Sequence, residues 1–133
     1  MHVPDGDGPW PGVLVFPDIY YRAGEWVPFD VATLFTEPGE RARMGTLVQP
    51  LSNDRIIADA TAYAEFLLAR PEVSGTAIGT TGYCLGGYMS LVAATGLGRT
   101  VAAVSDNPTY DEAAQARHWD ALARLYQAEL AGG

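Results

Sequence analysis

The sequence predicts an α/β domain of three layers, a short parallel sheet of about three strands flanked by helices. Three observations carry this expectation. Short apolar runs recur at Gly12–Phe16, Thr76–Thr81 and Thr100–Val104. Helical stretches stand between and after them, the clearest from Asp54 to Ala69. Strands alternating with helices build parallel sheets, because a parallel pair needs a crossover connection.

Taken in order, residues 3–12 are rich in Pro, Gly and Asp and read as a loop. Gly12-Val13-Leu14-Val15-Phe16, between Pro11 and Pro17, has the continuous apolar character of a strand buried on both faces. From Asp18 to Val31, the aromatics Tyr20, Tyr21, Trp26 and Phe29 follow no period, so this segment reads as an irregular loop packing its rings over the core. Ala32–Phe35 and Gly39–Val48 read as short helices. Ser52 or Asn53 caps the next helix, whose stripe is Ile56, Ile57, Ala60, Tyr63, Ala64 and Leu67, with Pro71 past its end. Gly86–Thr95 is a helix of small and apolar residues. Thr109 with Glu112 forms a capping box for a last helix to about Leu130, on which Trp119, Leu122, Tyr126 and Leu130 share a face.

Composition excludes several functions. The 133 residues suit a single domain over 1–133 with one modest core. Sixteen acidic residues stand against eight basic ones, a net charge of −8, and every basic residue is arginine. Nucleic acid is therefore not an expected partner, since a phosphate backbone calls for a basic stripe. Without lysine there is no Schiff-base lysine, no P-loop and no Ser-Lys dyad. One cysteine excludes an internal disulfide and a cysteine-rich zinc site. No apolar stretch reaches the 18 or so residues of a membrane span, and with neither a basic n-region nor an apolar h-region in Met1–Asp7 no leader is expected. With a free thiol, the expected location is cytoplasmic. No cofactor and no metal is expected.

Gly82-Tyr83-Cys84-Leu85-Gly86, followed by Gly87, lies between the second strand and the small-residue helix. This is the G-x-C-x-G form of a nucleophile elbow, a sharp strand-to-helix turn that holds its central residue in a strained conformation. The flanking glycines, Gly82 and Gly86, let the neighbouring backbones approach. The sulfur stands at the carboxyl end of the sheet, where the helix dipole favours a thiolate. The Leu85 amide offers one oxyanion donor. The competing structural reading is a buried cysteine in a tight turn whose glycines serve packing alone. A phosphatase loop needs arginine at position 90, which is Ser90, and a redox pair needs cysteine at position 87, which is Gly87.

Gly79-Thr80-Thr81-Gly82-Tyr83-Cys84-Leu85-Gly86-Gly87 closely resembles the nucleophile segment of the dienelactone hydrolase family, α/β-hydrolases with a cysteine nucleophile. Segments 8–18, 20–30, 41–43, 54–55, 106–111 and 117–120 resemble further parts of that family. The resemblance implies a truncated α/β-hydrolase fold and a carboxylic-ester hydrolase acting on small esters or lactones, with Cys84 as nucleophile. It also implies two internal deletions. A single Pro17-Asp18 serves where the family has two such pairs, so the loop with the second oxyanion donor and an active-site glutamate is missing; Glu25 lies in a different motif. After the strand near Val101–Ala103 the sequence passes directly into Ser105-Asp106-Asn107-Pro108, without the strands that carry the triad aspartate. The position of the triad histidine, counted back from there, falls at Thr100-Val101-Ala102, where no histidine stands, so the triad reduces to its nucleophile.

Two residues offer themselves as substitutes. His118 lies on the last helix, where its neighbours Ala114 and Leu122 favour a packing role over a recruited base. Asp18 stands at the carboxyl end of the first strand, but without an imidazole in between, a carboxylate disfavours a thiolate. The expectation is thus a hydrolase of very weak turnover, or a non-catalytic scaffold that keeps an inert elbow. Loss of central strands also predicts an exposed sheet edge and self-association through it.

Overall fold

The structure is a computed structural model describing residues 3, 5–14, 18–30, 32–98, 100–105 and 112–130. Residues 100–105, 112–115 and 118 are described as backbone alone. Its elements are β1 (Trp10–Leu14), a 3-10 turn (Tyr21–Ala23), α1 (Pro38–Val48), α2 (Asn53–Leu68), β2 (Val73–Tyr83), α3 (Leu85–Leu97), β3 (Thr100–Ser105) and α4 (Glu112–Leu130). The three strands form one parallel sheet in the order β1-β2-β3, with β2 central. Helices α2 and α3 pack on each other and on β2, while α4 packs on β2 and β3. The expected three-layer α/β architecture is present.

Local chemistry explains the helices. Ser52 is extended, and its hydroxyl accepts the Arg55 N–H, so Ser52 rather than Asn53 is the cap of α2. Ile56, Ala60 and Ala64 are buried, and Ile57, Tyr63 and Leu67 are half-buried, so the whole expected stripe faces inward. α3 is apolar along its length because it lies against both the sheet and α2. Its Gly96 admits Ile57 to within 2.6 Å of where a Cβ would stand. α1 begins on Pro38, whose missing N–H costs nothing in the first turn.

Alternate residues of β2 serve opposite layers, as the pleat requires. Ile78 joins Leu14, Ala60, Ala64 and Ala93 in the core between sheet and α2–α3. Thr80 faces the same way, its hydroxyl 2.7 Å from that of Ser90, and each buried group satisfies the other. Gly79 faces α4, where the ring of Tyr126 lies over it and the Tyr126 hydroxyl donates to the Thr80 carbonyl at 2.8 Å. A second cluster of Ile56, Met89 and Val92 is flanked by Ile19, Ile57 and Leu85.

Four expectations need correction. β1 is not buried on both faces: Leu14 is buried but Val13 is 41% exposed. The reason is the position of α4, which reaches β2 and β3 and leaves that face of β1 open. Ala32–Phe35 is a turn, closed by the Asp30 side chain on Ala32 N–H and by the Asp30 carbonyl on Leu34 N–H. The Asp18–Val31 aromatics do not pack over the core as a group. Tyr21 is exposed and its hydroxyl donates to Asp59, and Trp26 is 36% exposed. On α4, Leu122 and Leu130 are buried and Tyr126 half-buried, whereas Trp119 is exposed. The capping residue Thr109 lies outside the described residues, as do Val15–Pro17 and His2. Among the described residues no helix is long and apolar enough to cross a membrane.

The contact of Gly79 with Tyr126 makes a prediction. A Cβ at Gly79 would stand 2.7 Å from the ring. Gly79→Ala should lower stability by about 1–3 kcal/mol through overpacking, measured by denaturant unfolding. Shortening the ring in Gly79→Ala/Tyr126→Leu should make the alanine close to neutral against Tyr126→Leu alone. Equal costs in both backgrounds would contradict the packing.

Candidate active site

β2 passes into α3 with a single residue between them, Cys84. Its backbone stands at φ 51°, ψ −119°, the one non-glycine residue at positive φ among those described. A side chain there is strained by on the order of 1–3 kcal/mol, a cost that surrounding structure must impose. The imposing contact is visible. A Cβ on Gly82 would lie 2.3 Å from the carbonyl carbon and oxygen of Gly86 and 2.8 Å from the Gly87 nitrogen. Only glycine allows the strand to pass that close to the first turn of α3. The same is not true of Gly86, where a Cβ would meet nothing within 4 Å. The expectation that both glycines relieve a clash holds for Gly82 alone, because Gly86 contributes its backbone to the contact and its Cβ direction is open.

Cys84 is a free, exposed thiol. This removes the reading of a buried cysteine that serves packing. The first bond of α3 runs from Tyr88 N–H to the Cys84 carbonyl at 3.1 Å. The amides of Leu85, Gly86 and Gly87 therefore precede the helical ladder. Leu85 itself is half-buried on the Ile56–Met89–Val92 cluster, which fixes the turn that carries its amide.

The loop after β1 comes alongside. Ile19 and Leu85 pack on the same cluster, so the loop that carries Tyr20 lies at the elbow's end of the sheet. Burial first, and then the negative charge available at Cys84, raise the pKa of the Tyr20 phenol above the ordinary tyrosine value. Tyr20 meets Trp26 and Phe29 edge to face, at 5.1 and 5.9 Å between centroids. Sequence reasoning assigned these rings to the core; the signal that could have separated them was the density of Gly, Pro and charge around them. Arg22, next to this group, is ion-paired with Asp59 of α2.

The proposed substitutes are placed differently. The Asp18 carboxylate accepts from the Tyr20 N–H at 2.8 Å and from the Trp26 indole N–H at 3.3 Å. It anchors the aromatic loop, and no hydrogen bond joins it to Cys84. The backbone of His118 lies on α4, which runs antiparallel to β2, with Leu130 near Gly75 and Tyr126 over Gly79. Eight residues of helix cover about 12 Å, and four of strand about 13 Å. The His118 backbone is therefore level with the elbow. Thr100, where the resemblance would put the triad histidine, is paired with Ile78 at the amino end of β3. Tyr83, beside Cys84, pairs with Ser105, so Thr100 is about 16 Å down the sheet from the elbow. Counting along the chain put it at the wrong end of its strand. Among the described residues no group of His, Cys, Asp and Glu is arranged to hold a metal ion.

A protein-family model describing the dienelactone hydrolase family matches residues 10–106, which include β1, β2, the elbow and β3. The chain belongs to that family. The match ends at Asp106, before α4. Comparison with curated proteins and with solved structures returned no match. Family membership makes the chain a hydrolase of dienelactone-hydrolase type at the level of the family, and the parallel sheet with its helices agrees with that α/β-hydrolase descent.

Two predictions come from this geometry. Gly82→Ala should abolish the native fold or cost more than about 3 kcal/mol, beyond ordinary overpacking, because the clash is with backbone. Gly86→Ala should be neutral or stabilising by up to about 1 kcal/mol, from helix propensity. Similar losses in both variants, by thermal unfolding, would contradict the elbow contact. For Tyr20, replacing Cys84 by Ala removes its electrostatic influence and should lower the phenol's titration midpoint toward, but not to, the ordinary value, since burial remains. Phenol titration by carbon NMR of the Tyr20 ring checks this, and an unchanged midpoint would separate the two groups.

Proposed function

We propose that the protein is a carboxylic-ester or lactone hydrolase of slow turnover, with Cys84 as nucleophile and the Leu85 amide as oxyanion donor. The observation that carries this reading is the exposed thiol at φ 51° in the family-matched turn between β2 and α3. The Cys84 sulfur, having lost its proton, attacks the carbonyl carbon. A C–S bond forms and the carbonyl electron pair moves to oxygen, where the Leu85 N–H meets it. Collapse of this intermediate breaks the bond to the leaving oxygen, which takes up a proton as the alcohol; in a lactone that hydroxyl stays on the same molecule. Water then attacks the thioester, releasing the acid and restoring the thiol. No metal or organic cofactor enters the scheme.

The slow turnover follows from what surrounds the sulfur. Oxyanion contacts and binding alone leave a residual acceleration of about 10³–10⁴ over water. Deacylation suffers most, because water is a poorer nucleophile than a thiolate and needs a base. The reading also places the chain in the cytoplasm, where a free thiol persists, with a small neutral or polar ester as its partner and no nucleic acid. The outer edges of β1 and β3 pair with no strand among the described residues, and Val13 is exposed beside the first. Self-association through these edges is part of the proposal; sedimentation should show mass rising with concentration, and a monomer at every concentration would remove it.

The test is stopped-flow hydrolysis of 4-nitrophenyl acetate. A burst of one nitrophenolate per chain should precede a slow steady state, and Cys84→Ser should lose the burst. Thr100→His should leave both phases unchanged, given its distance from the elbow. His118→Ala should also leave the burst in place, because the scheme assigns no proton transfer to His118. Absence of a burst in the native chain would favour the inert scaffold.

A further inference from the structure

Tyr20, Trp26 and Phe29 form a small aromatic surface on the loop between β1 and α1, which reaches the Ile56–Met89–Val92 cluster through Ile19 as the elbow does through Leu85. Core aromatics are covered, yet Trp26 is 36% exposed and Tyr20 and Phe29 are half-buried. The rings are nevertheless fixed. Tyr20 stands edge-on to both partners, Trp26 and Phe29 lie 6.1 Å apart and tilted by 33°, and Asp18 holds the Trp26 indole N–H. Arg43 backs the group, its guanidinium 4.4 Å from the Phe29 centroid and bonded to the carbonyls of Val27 and Pro28. A partly exposed aromatic surface at the elbow's end of the sheet suits recognition, because rings held by their own contacts accept a flat partner with little further loss of entropy.

The charges around it decide what kind of partner. A cation would meet Arg43, which already occupies the face of Phe29. An anion would meet the Asp18 carboxylate, in a chain of net charge −8. The arginines of this region are engaged: Arg22 with Asp59, Arg43 with Glu40, Arg41 with the Phe35 carbonyl. Resting on the assignment of Cys84 as nucleophile, we infer that the Tyr20–Trp26–Phe29 surface receives a flat, uncharged group of the substrate, so that the preferred substrates are neutral aryl esters.

The experiment uses the Cys84→Ala chain, which binds without reacting, and three aryl probes: methyl 2-naphthoate, the 2-naphthoate anion and phenyltrimethylammonium. Binding measured by calorimetry should be tightest for the neutral ester, by roughly fivefold or more. Trp26→Leu should weaken that binding by a similar factor, while Phe66→Leu, an exposed ring on α2, should not. Should Trp26→Leu fail to fold, intermolecular NOEs from the naphthyl protons to Tyr20 and Trp26 in the parent chain serve instead. Equal or tighter binding of either charged probe, or contacts to other residues, would overturn the inference. Neutral-probe binding in a chain whose native thiol is never acylated by phenyl acetate would support the surface and overturn the nucleophile. Acylation with no aryl preference would overturn the surface alone.

Discussion

Strand β2 can turn straight into helix α3 only because Gly82 brings no side chain to the place where the Gly86 carbonyl passes. A Cβ there would sit 2.3 Å from that carbonyl, well inside any tolerable contact. The rest of the site descends from this approach. With strand and helix held so close, the single residue between them has one way to connect them, and that is the positive-φ conformation of Cys84. The same conformation lifts the thiol to the surface at the carboxyl edge of the sheet and leaves the first amides of α3 outside the helical ladder. Strain at one residue and a free set of donors are two results of one contact.

The strain must be held by packing elsewhere, and one side of the sheet supplies it. α2 and α3 cover the sheet through two apolar clusters and the Thr80–Ser90 hydroxyl pair. The opposite face is less complete, since α4 covers β2 and β3 but leaves Val13 of β1 open. The described residues thus include the strand, turn and helix that build the elbow. The position sequence reasoning offered for an imidazole, Thr100, is remote from that elbow. What the remaining architecture supports is bond formation at sulfur more readily than the proton transfers that complete a cycle.

Much of this was legible in the residues, and the failures have physical causes. α2 was clear because Ser52 caps it and six apolar residues repeat at helical spacing. The elbow was clear because glycines bracket a cysteine between an apolar run and a small-residue helix. The burial of β1 was not, since it depends on how far α4 reaches across the sheet, which no local pattern encodes. β2 is longer than Thr76–Thr81 because it begins at Val73, before a slip in register at Gly75, where φ is +74° and the pairing jumps from Ser74 to Ile78. The aromatic loop has no period, so its rings could be assigned to the core only by their hydrophobicity. Thr100 illustrates a different error: counting residues along a resemblance ignores register, and register decides which end of a strand a residue occupies.

The central claim is that the Gly82-enforced turn presents Cys84 as an acyl acceptor. It is tested most directly by quenching the chain with acid during its reaction with phenyl acetate and mapping the acetyl group by mass spectrometry. The account predicts one acetyl group per chain, on Cys84, that appears in the native chain, is lost on prolonged incubation, and does not form after unfolding by denaturant at the same pH. Acetyl groups scattered over tyrosines and the amino terminus, or a Cys84 acylated equally fast when unfolded, would contradict it.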